Sequence, residues 1–502
     1  MPDQQYDFKY QWQRVSLISI IYFFVSRGLK IVKELAMNAA PAFVGLLVAV
    51  DDKAYWFSIA AIGFIALIII DIVALYLTFR YRVEDEQIIV RQGVFKKEIL
   101  NLKYVRVQNI NNAVPWYFKP FNLVRCSLDS AGSAAKEVSI PGITIERSDA
   151  ISEIIHNYQK SHRDIKTEDL KDESNEYDCL KLTNWESTKF GFTNSMIFVF
   201  AGVLFPVFDR LTDSYGATFK DFFLQASKLL PFPEIVSNVI LVIIGVLLSG
   251  FLLLCITALG AFIRFYNFEL YDEGKKLKRI AGLLERQTIF LNKNKVQGVT
   301  IKQNVFARLL GMVTIYFQQT QGEGKSAAKK QAFIIPTLKS GKWQKQLKII
   351  YPELVNIKLN FIPIDPRYIY KVTLYGYLLP VSLIAIPLFL YTTFHALFLY
   401  LLAIPFVVIA FLRYRRYGYC VTENYLIIRD GIIGTNYHIL HRFKAQHLTE
   451  STSPSQRRLN LGSLKVKMAY SSLSLPYIQL SELRKIINQT LLLTESSNKS
   501  WM

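Results

Sequence analysis

Three stretches of this chain share one pattern of residue spacing, and that repeat limits the fold more than any other feature. Gly93 stands 15 residues before Gln108, Gly282 stands 15 before Gln297, and Gly431 stands 15 before Gln446. Fourteen residues before each glycine lies an aromatic (Phe79, Phe268, Tyr417), and five before it an aliphatic (Ile88, Leu277, Leu426). Thirteen residues after each glutamine comes Phe121, Leu310 or Leu459, and two further on Leu123, Met312 or Leu461. Each unit then reaches an apolar–proline step at Ile140-Pro141, Ile335-Pro336 and Leu475-Pro476. Spacing held at so many points implies three copies of one structural unit.

The units read as β structure. Gln87–Gly93 and Tyr425–Gly431 are short β-branched runs that end in a turn glycine. Gly93, Gly282 and Gly431 are therefore expected at equivalent hairpin turns with positive φ, which glycine adopts at little cost. Val105, Val107, Ile110, Val296 and Val299 continue near period two. After the proline, the pattern becomes helical. Ile151, Ile154, Ile155 and Tyr158 sit at i, i+3, i+4 and i+7, and Leu480, Leu483, Ile487 and Leu491 do much the same. Trp343, Leu347 and Ile350 form the middle version. Each unit is thus expected to be a small antiparallel barrel or sandwich plugged by a C-terminal helix.

Long apolar runs precede each unit. The chain is 51% hydrophobic and 20% charged, which excludes a disordered chain and a purely soluble enzyme. Six runs are candidates for spans, taking ~20 apolar residues per crossing: Leu35–Val50, Tyr55–Phe79, Phe192–Phe208, Ile235–Ile263, Val372–Leu390 and Phe394–Leu412. Residues 16–34 read either as an interfacial helix or as part of one longer kinked first span. No cleavable signal peptide is expected. The expected order is an N-terminal segment (1–34), span pair one (35–79), unit one (80–160) and an acidic linker (161–190). Span pair two (191–263), unit two (264–352) and a second linker (353–370) follow. Span pair three (371–412), unit three (413–493) and a tail (494–502) complete the chain.

Charge suggests an orientation. Residues 80–112 hold seven bases and four acids, 264–310 ten and four, and 413–467 ten and three. The loop from Asp209 to Glu234 holds four acids and three bases. Both termini and all three units are therefore expected in the cytoplasm, and most of the net charge of +20 belongs to the units.

In this order the pieces resemble the bacterial pleckstrin-homology-like (PH-like) domain of the YdbS/YdbT type of membrane protein, in its three-repeat, YdbT-like form. The carriers are Tyr81-Arg-Val, Gln87–Gly93 and Val105–Ile110 in the first unit. In the second they are Gly282–Arg286, Lys295–Gln297 and Ala307–Gly311, and in the third Arg429–Gly431 and Arg457–Gly462. Two departures stand out: Leu270 replaces Tyr81 and Tyr419, and Gly311 is matched by Asn122 and Asn460. The resemblance implies a multi-pass α-helical membrane protein carrying three cytoplasmic PH-like domains. It also implies a role in envelope integrity or resistance to membrane-active compounds, and a smaller one-barrel, YdbS-like relative as partner.

Candidate chemistry is sparse. The strongest basic clusters are Lys275, Lys276, Lys278 and Arg279, and Arg413, Arg415 and Arg416. They suit anionic headgroups, each base near the surface contributing about 1 kcal/mol, and they equally serve topology. Asp71, an acid inside an apolar run, suits an ion pair or a proton site. His438, His441 and His447 cluster in sequence, but in a strand positions 438 and 441 face opposite ways, against a metal site. Gln321–Ser326 resembles a phosphate loop without its first glycine, since that position is Gln319. The four cysteines (Cys126, Cys179, Cys255, Cys420) form no CxxC. No catalytic triad, cofactor motif, metal site or nucleic-acid reader is expected. Two functions remain: a non-enzymatic inner-membrane scaffold that binds anionic lipid or partner proteins, or a transporting or lipid-flipping helix bundle regulated by the units.

Overall fold

The computed structural model describes residues 9–38, 53–93, 97–130, 138–161, 180–193, 225, 231, 233–274, 276–319, 333–341, 343–348, 351–354, 359–392, 398–401 and 403–496. The expected spans Leu35–Val50 and Phe192–Phe208 lie almost wholly outside these residues, as do Gln321–Ser326 and most of the acidic linker.

Each repeat is six strands in two triplets. The first holds β1 (Arg80–Val83), β2 (Gln87–Gln92) and β3 (Glu98–Lys103), then β4 (Val107–Pro115), β5 (Leu123–Ser130) and β6 (Val138–Thr144). A short β7 (Leu180–Lys181) precedes the second, which holds β8 (Glu269–Glu273), β9 (Lys276–Ala281) and β10 (Glu285–Asn292), then β11 (Val296–Lys302), β12 (Met312–Gln319) and β13 (Phe333–Lys339). After β14 (Ile362–Pro363), the third holds β15 (Gly418–Val421), β16 (Tyr425–Asp430) and β17 (Asn436–His441), then β18 (His447–Ser451), β19 (Leu461–Lys467) and β20 (Ser472–Gln479).

The shared spacing is a core pattern. Phe79, Phe268 and Tyr417 are buried, as are Ile88, Leu277 and Leu426. Leu270 is buried where Tyr81 and Tyr419 are, so that departure leaves the core role intact. Burying one such side chain contributes about 1.5–3 kcal/mol. Gly93, Gly282 and Gly431 have φ of 108°, 121° and 140°, and Asn122, Gly311 and Asn460 have φ of 51°, 62° and 51°. Asparagine tolerates the left-handed region better than other side chains, which is why it can stand in for glycine there. An irregularity in register also recurs at Val124, Val313 and Gly462.

The chain divides into two compact units: residues 1–179, 276–292 and 321–331, and residues 180–275, 293–320 and 332–502. In the first, β1-β2-β3 form one antiparallel sheet, and β6-β5-β4 are extended by β10 and β9. A helix over Ser19–Asn38 packs beside one over Lys53–Thr78 and buries Phe23 with Ile72 and Phe79 in the core of the first repeat. The helix Ile145–Ser161 adds Ile151, Ile154 and Ile155 to that core. In the second unit, β13-β12-β11 are extended by β17-β16-β15-β14, and β18-β19-β20 form their own sheet. The helix Asn184–Thr193 packs on Glu234–Phe265 through Gly191, where an added Cβ would lie 2.4 Å from the Ala258 backbone.

One expectation is corrected. Among the described residues the fold is β-rich, not the expected multi-pass helical membrane protein. The described residues hold twenty strands in four sheets, and only two helical stretches, Ile243–Phe265 and Arg367–Ile386, are long and apolar enough to cross a membrane. Apolar content counts alike toward a span and toward a buried strand. Much of that content sits in strands, as at Val90, Leu128, Ile140, Ile315, Ile427 and Leu464, all buried. The helix Ser19–Asn38 runs without a break across residue 34.

Candidate functional site: an arginine-lined cleft

The helix Ala403–Arg416 ends in Arg413, Arg415 and Arg416 and leads almost directly into β15. Basic residues in the last turn oppose the partial negative charge of the helix end. Arg415 and Arg416 line a cavity of about 360 Å³ with Leu412, Arg429, Thr435 and Tyr437. Arg429 comes from β16 and Tyr437 from β17, so the β16–β17 hairpin, paired Arg429 to Tyr437, sets one wall.

The guanidinium groups are held in place. Arg416 Nη1 donates to Thr435 Oγ1 at 2.8 Å, and Arg429 Nε donates to the Arg416 carbonyl at 2.9 Å. Arg429 also lies over the Phe361 ring at 4.6 Å. Burial, then the charges of Arg308 and Arg429, hold Arg416 below the usual arginine range. Arg308 donates to the Ile433 carbonyl, which fixes it near this hairpin. Among the described residues, no carboxylate lines the cavity. The nearby Asp430 is already engaged by His438 and Asn436; although burial opposes it, these partners hold its carboxyl below the usual range. Clustered arginines with fixed donors and no carboxylate in the lining form an anion site suited to a phosphate. The adjoining surface is apolar: Phe306 and Leu309 flank Arg308 in sequence and are 44% and 78% exposed, and Ile432 and Ile433 are exposed too.

The other singled-out residues lie elsewhere. Lys275 is outside the described residues. On β9, alternation splits the basic run: Lys276 is exposed, Lys278 stands over the Phe290 ring at 5.8 Å, and Arg279 is buried. That run is therefore not a single solvated face. Arg413 is exposed at the helix end, outside the cavity lining. Asp71 pairs with Arg27 at 2.9 Å. His438 contacts Asp430, whereas His441 packs among Tyr351, Tyr425 and Phe443. Among the described residues, no group of three or more His, Cys, Asp or Glu could hold a metal ion. Sequence reasoning missed Arg429, Thr435 and Tyr437, which strand pairing brings to the helix end. It also missed Lys444, which is buried, with Nζ 2.8 Å from the carbonyls of both Asn294 and Val296.

Comparison with known proteins agrees with the repeat. The UPF0699 transmembrane protein YdbT of Bacillus subtilis (strain 168) is 20% identical over 285 residues, 55% of this chain and 56% of that protein, so the match spans about half the length of the relative. The family is one of PH-like domains and not a known enzyme family. Its profile, described as the bacterial PH domain, matches residues 35–159, 221–340 and 377–493, one match for each repeat, and on this coverage the chain belongs to the bacterial PH domain family.

Proposed function

We propose that this chain is a non-enzymatic, membrane-associated scaffold whose PH-like repeats bind anionic lipid headgroups, with the arginine cleft of the third repeat as the headgroup site. The observation that carries this reading is the cluster of Arg415, Arg416 and Arg429 around a cavity whose described lining residues include no carboxylate. Like charges held together repel, and a bound phosphate diester relieves that repulsion while accepting the fixed guanidinium hydrogen bonds. The volume of about 360 Å³ suits a small polar headgroup. The apolar helix that delivers the arginines, and the exposed Phe306, Leu309 and Ile433 beside them, suit a site at a lipid surface. The relative's description as a transmembrane protein and the excess of bases in each repeat support a membrane protein with its repeats on the cytoplasmic face.

The pairing of Asp71 with Arg27 favours the scaffold over a transporting helix bundle, because transport through Asp71 needs an acid free to change partner. The test is a titration of the full chain in neutral detergent with fluorescent phosphatidylglycerol. At about 1 kcal/mol per base, Arg416→Gln with Arg429→Gln should weaken binding roughly 30-fold. Unchanged binding would reject the cleft as the site.

A further inference from the structure

We propose that copies of this chain join head to tail, the outer edge of β18 in one copy pairing antiparallel with the outer edge of β3 in the next. The protein already contains this junction twice. The first strand of a C-terminal triplet pairs with the third strand of the following repeat's N-terminal triplet: β4 with β10, and β11 with β17. The two junctions share one register. Gly93 to Gly282 is a step of 189 residues and Gly282 to Gly431 a step of 149. These steps carry Asn112 onto Ile301 and Thr288 onto Tyr437, and Asn112 faces Thr288 just as Ile301 faces Tyr437.

Two strands of the same kinds remain. β18 is the third repeat's equivalent of β4 and β11, and β3 is the first repeat's equivalent of β10 and β17. Among the described residues, β3 pairs only with β2, and β18 only with β19. Their exposure matches unfilled junctions. Val299 and Ile301 on β11 are fully buried, whereas on β18 the equivalent Leu448 is half-buried and Glu450 exposed. Ile439 on β17 is buried, whereas its equivalent Asn101 on β3 is exposed. Ile99 is 58% exposed. Lys444 is buried at the β11–β17 junction with Nζ on the Asn294 and Val296 carbonyls, and its equivalent Arg106 is exposed.

An open strand edge is a template for another strand. The occupant that fits β3 is a strand with β18's position in the repeat, and this chain carries that strand with its own edge open. A second copy therefore satisfies both edges. The contact is heterologous, so it builds rings or open rows. The shared register predicts the pairs Glu450 with Ile99, Thr449 with Leu100, Leu448 with Asn101 and His447 with Leu102. Arg106 would then reach the Phe443 and Ala445 carbonyls of the neighbouring copy. The polar Glu450, Thr449 and Asn101 keep both edges soluble before they meet.

The test uses the full chain in its membrane, with two differently tagged single variants, Ile99→Cys and Glu450→Cys, expressed together. Facing residues in an antiparallel pair are ~4.5–5.5 Å apart at Cα, within disulfide reach. Mild oxidation should give a mixed dimer carrying both tags, at least tenfold above either variant alone. Moving one cysteine out of register, with His447→Cys in place of Glu450→Cys, should return the yield to background. Independently, native mass spectrometry of the unsubstituted chain after gentle extraction should show multiples of the protomer mass. The proposal fails if no mixed dimer exceeds background, if Ile99→Cys links mainly to itself or only to a smaller, one-domain protein, or if the extracted chain is monomeric only.

Discussion

Arg27 Nε lies 2.9 Å from Asp71 Oδ2, joining the helix Ser19–Asn38 to the helix Lys53–Thr78. Asp71 interrupts an apolar stretch, and Arg27 supplies the opposite charge to it. The same two helices bury Phe23 and Ile72 in the first repeat's core, so the pair also fixes how that core is covered.

Losing one partner leaves the other charge without its counter-ion in an apolar setting. Arg27→Gln or Asp71→Asn alone should lower the thermal midpoint of the detergent-extracted chain. The double variant should recover part of the loss, with a coupling of about 1 kcal/mol. Strict additivity in that cycle would show that the pair contributes nothing.

Gly282→Val should destabilise the chain by about 1–3 kcal/mol, because the backbone there is left-handed at φ 121°. Space is short as well: a Cβ would stand 2.1 Å from the Glu285 carbonyl oxygen. Gly311→Asn is the control, since asparagine occupies the equivalent positions 122 and 460 at positive φ. Chemical denaturation should separate the two variants clearly, and equal stability would remove the turn requirement.

Burial lowers the Lys444 amine to about 8. Between that value and the ordinary lysine range near 10.4, the unfolded chain binds the proton and the folded chain does not. Stability therefore rises with pH across this window and bears the full cost of the buried charge below it. Replacing Lys444 with Met should remove that rise, seen as a flatter difference in unfolding midpoint between pH 7.5 and pH 10. A slope identical to the unsubstituted chain would assign the titration to another group.

The repeat was legible because core positions fix spacing: Phe79, Phe268 and Tyr417 must each fill the same hole, so their distances to the turn glycines are shared. The terminal helices were legible for the same reason, through Ile151, Ile154 and Ile155. The fold class was misjudged because a long apolar run meets the length test for a span whether or not it crosses a membrane, whereas strands such as Gln87–Gln92 and Tyr425–Asp430 were legible from their β-branched runs. Half of the cleft was legible, since Arg415 and Arg416 form a run. Arg429, Thr435 and Tyr437 were not, because strand pairing and not sequence adjacency brings them there. Arg279 shows the converse: a basic run in sequence need not be a basic face once alternate strand residues turn inward.

The central claim is that the third repeat's arginine cleft selects anionic lipid. The most direct measurement is native mass spectrometry of the full chain with phosphatidylglycerol or phosphatidylcholine, for the unsubstituted protein and for Arg416→Gln with Arg429→Gln. Bound phosphatidylglycerol should exceed phosphatidylcholine at least tenfold in the unsubstituted protein, and the excess should shrink as salt rises. In the double variant the two lipids should bind alike, while the phosphatidylcholine level stays the same. Equal binding of the two lipids by the unsubstituted chain, or an anionic preference that survives the double substitution, would contradict the account.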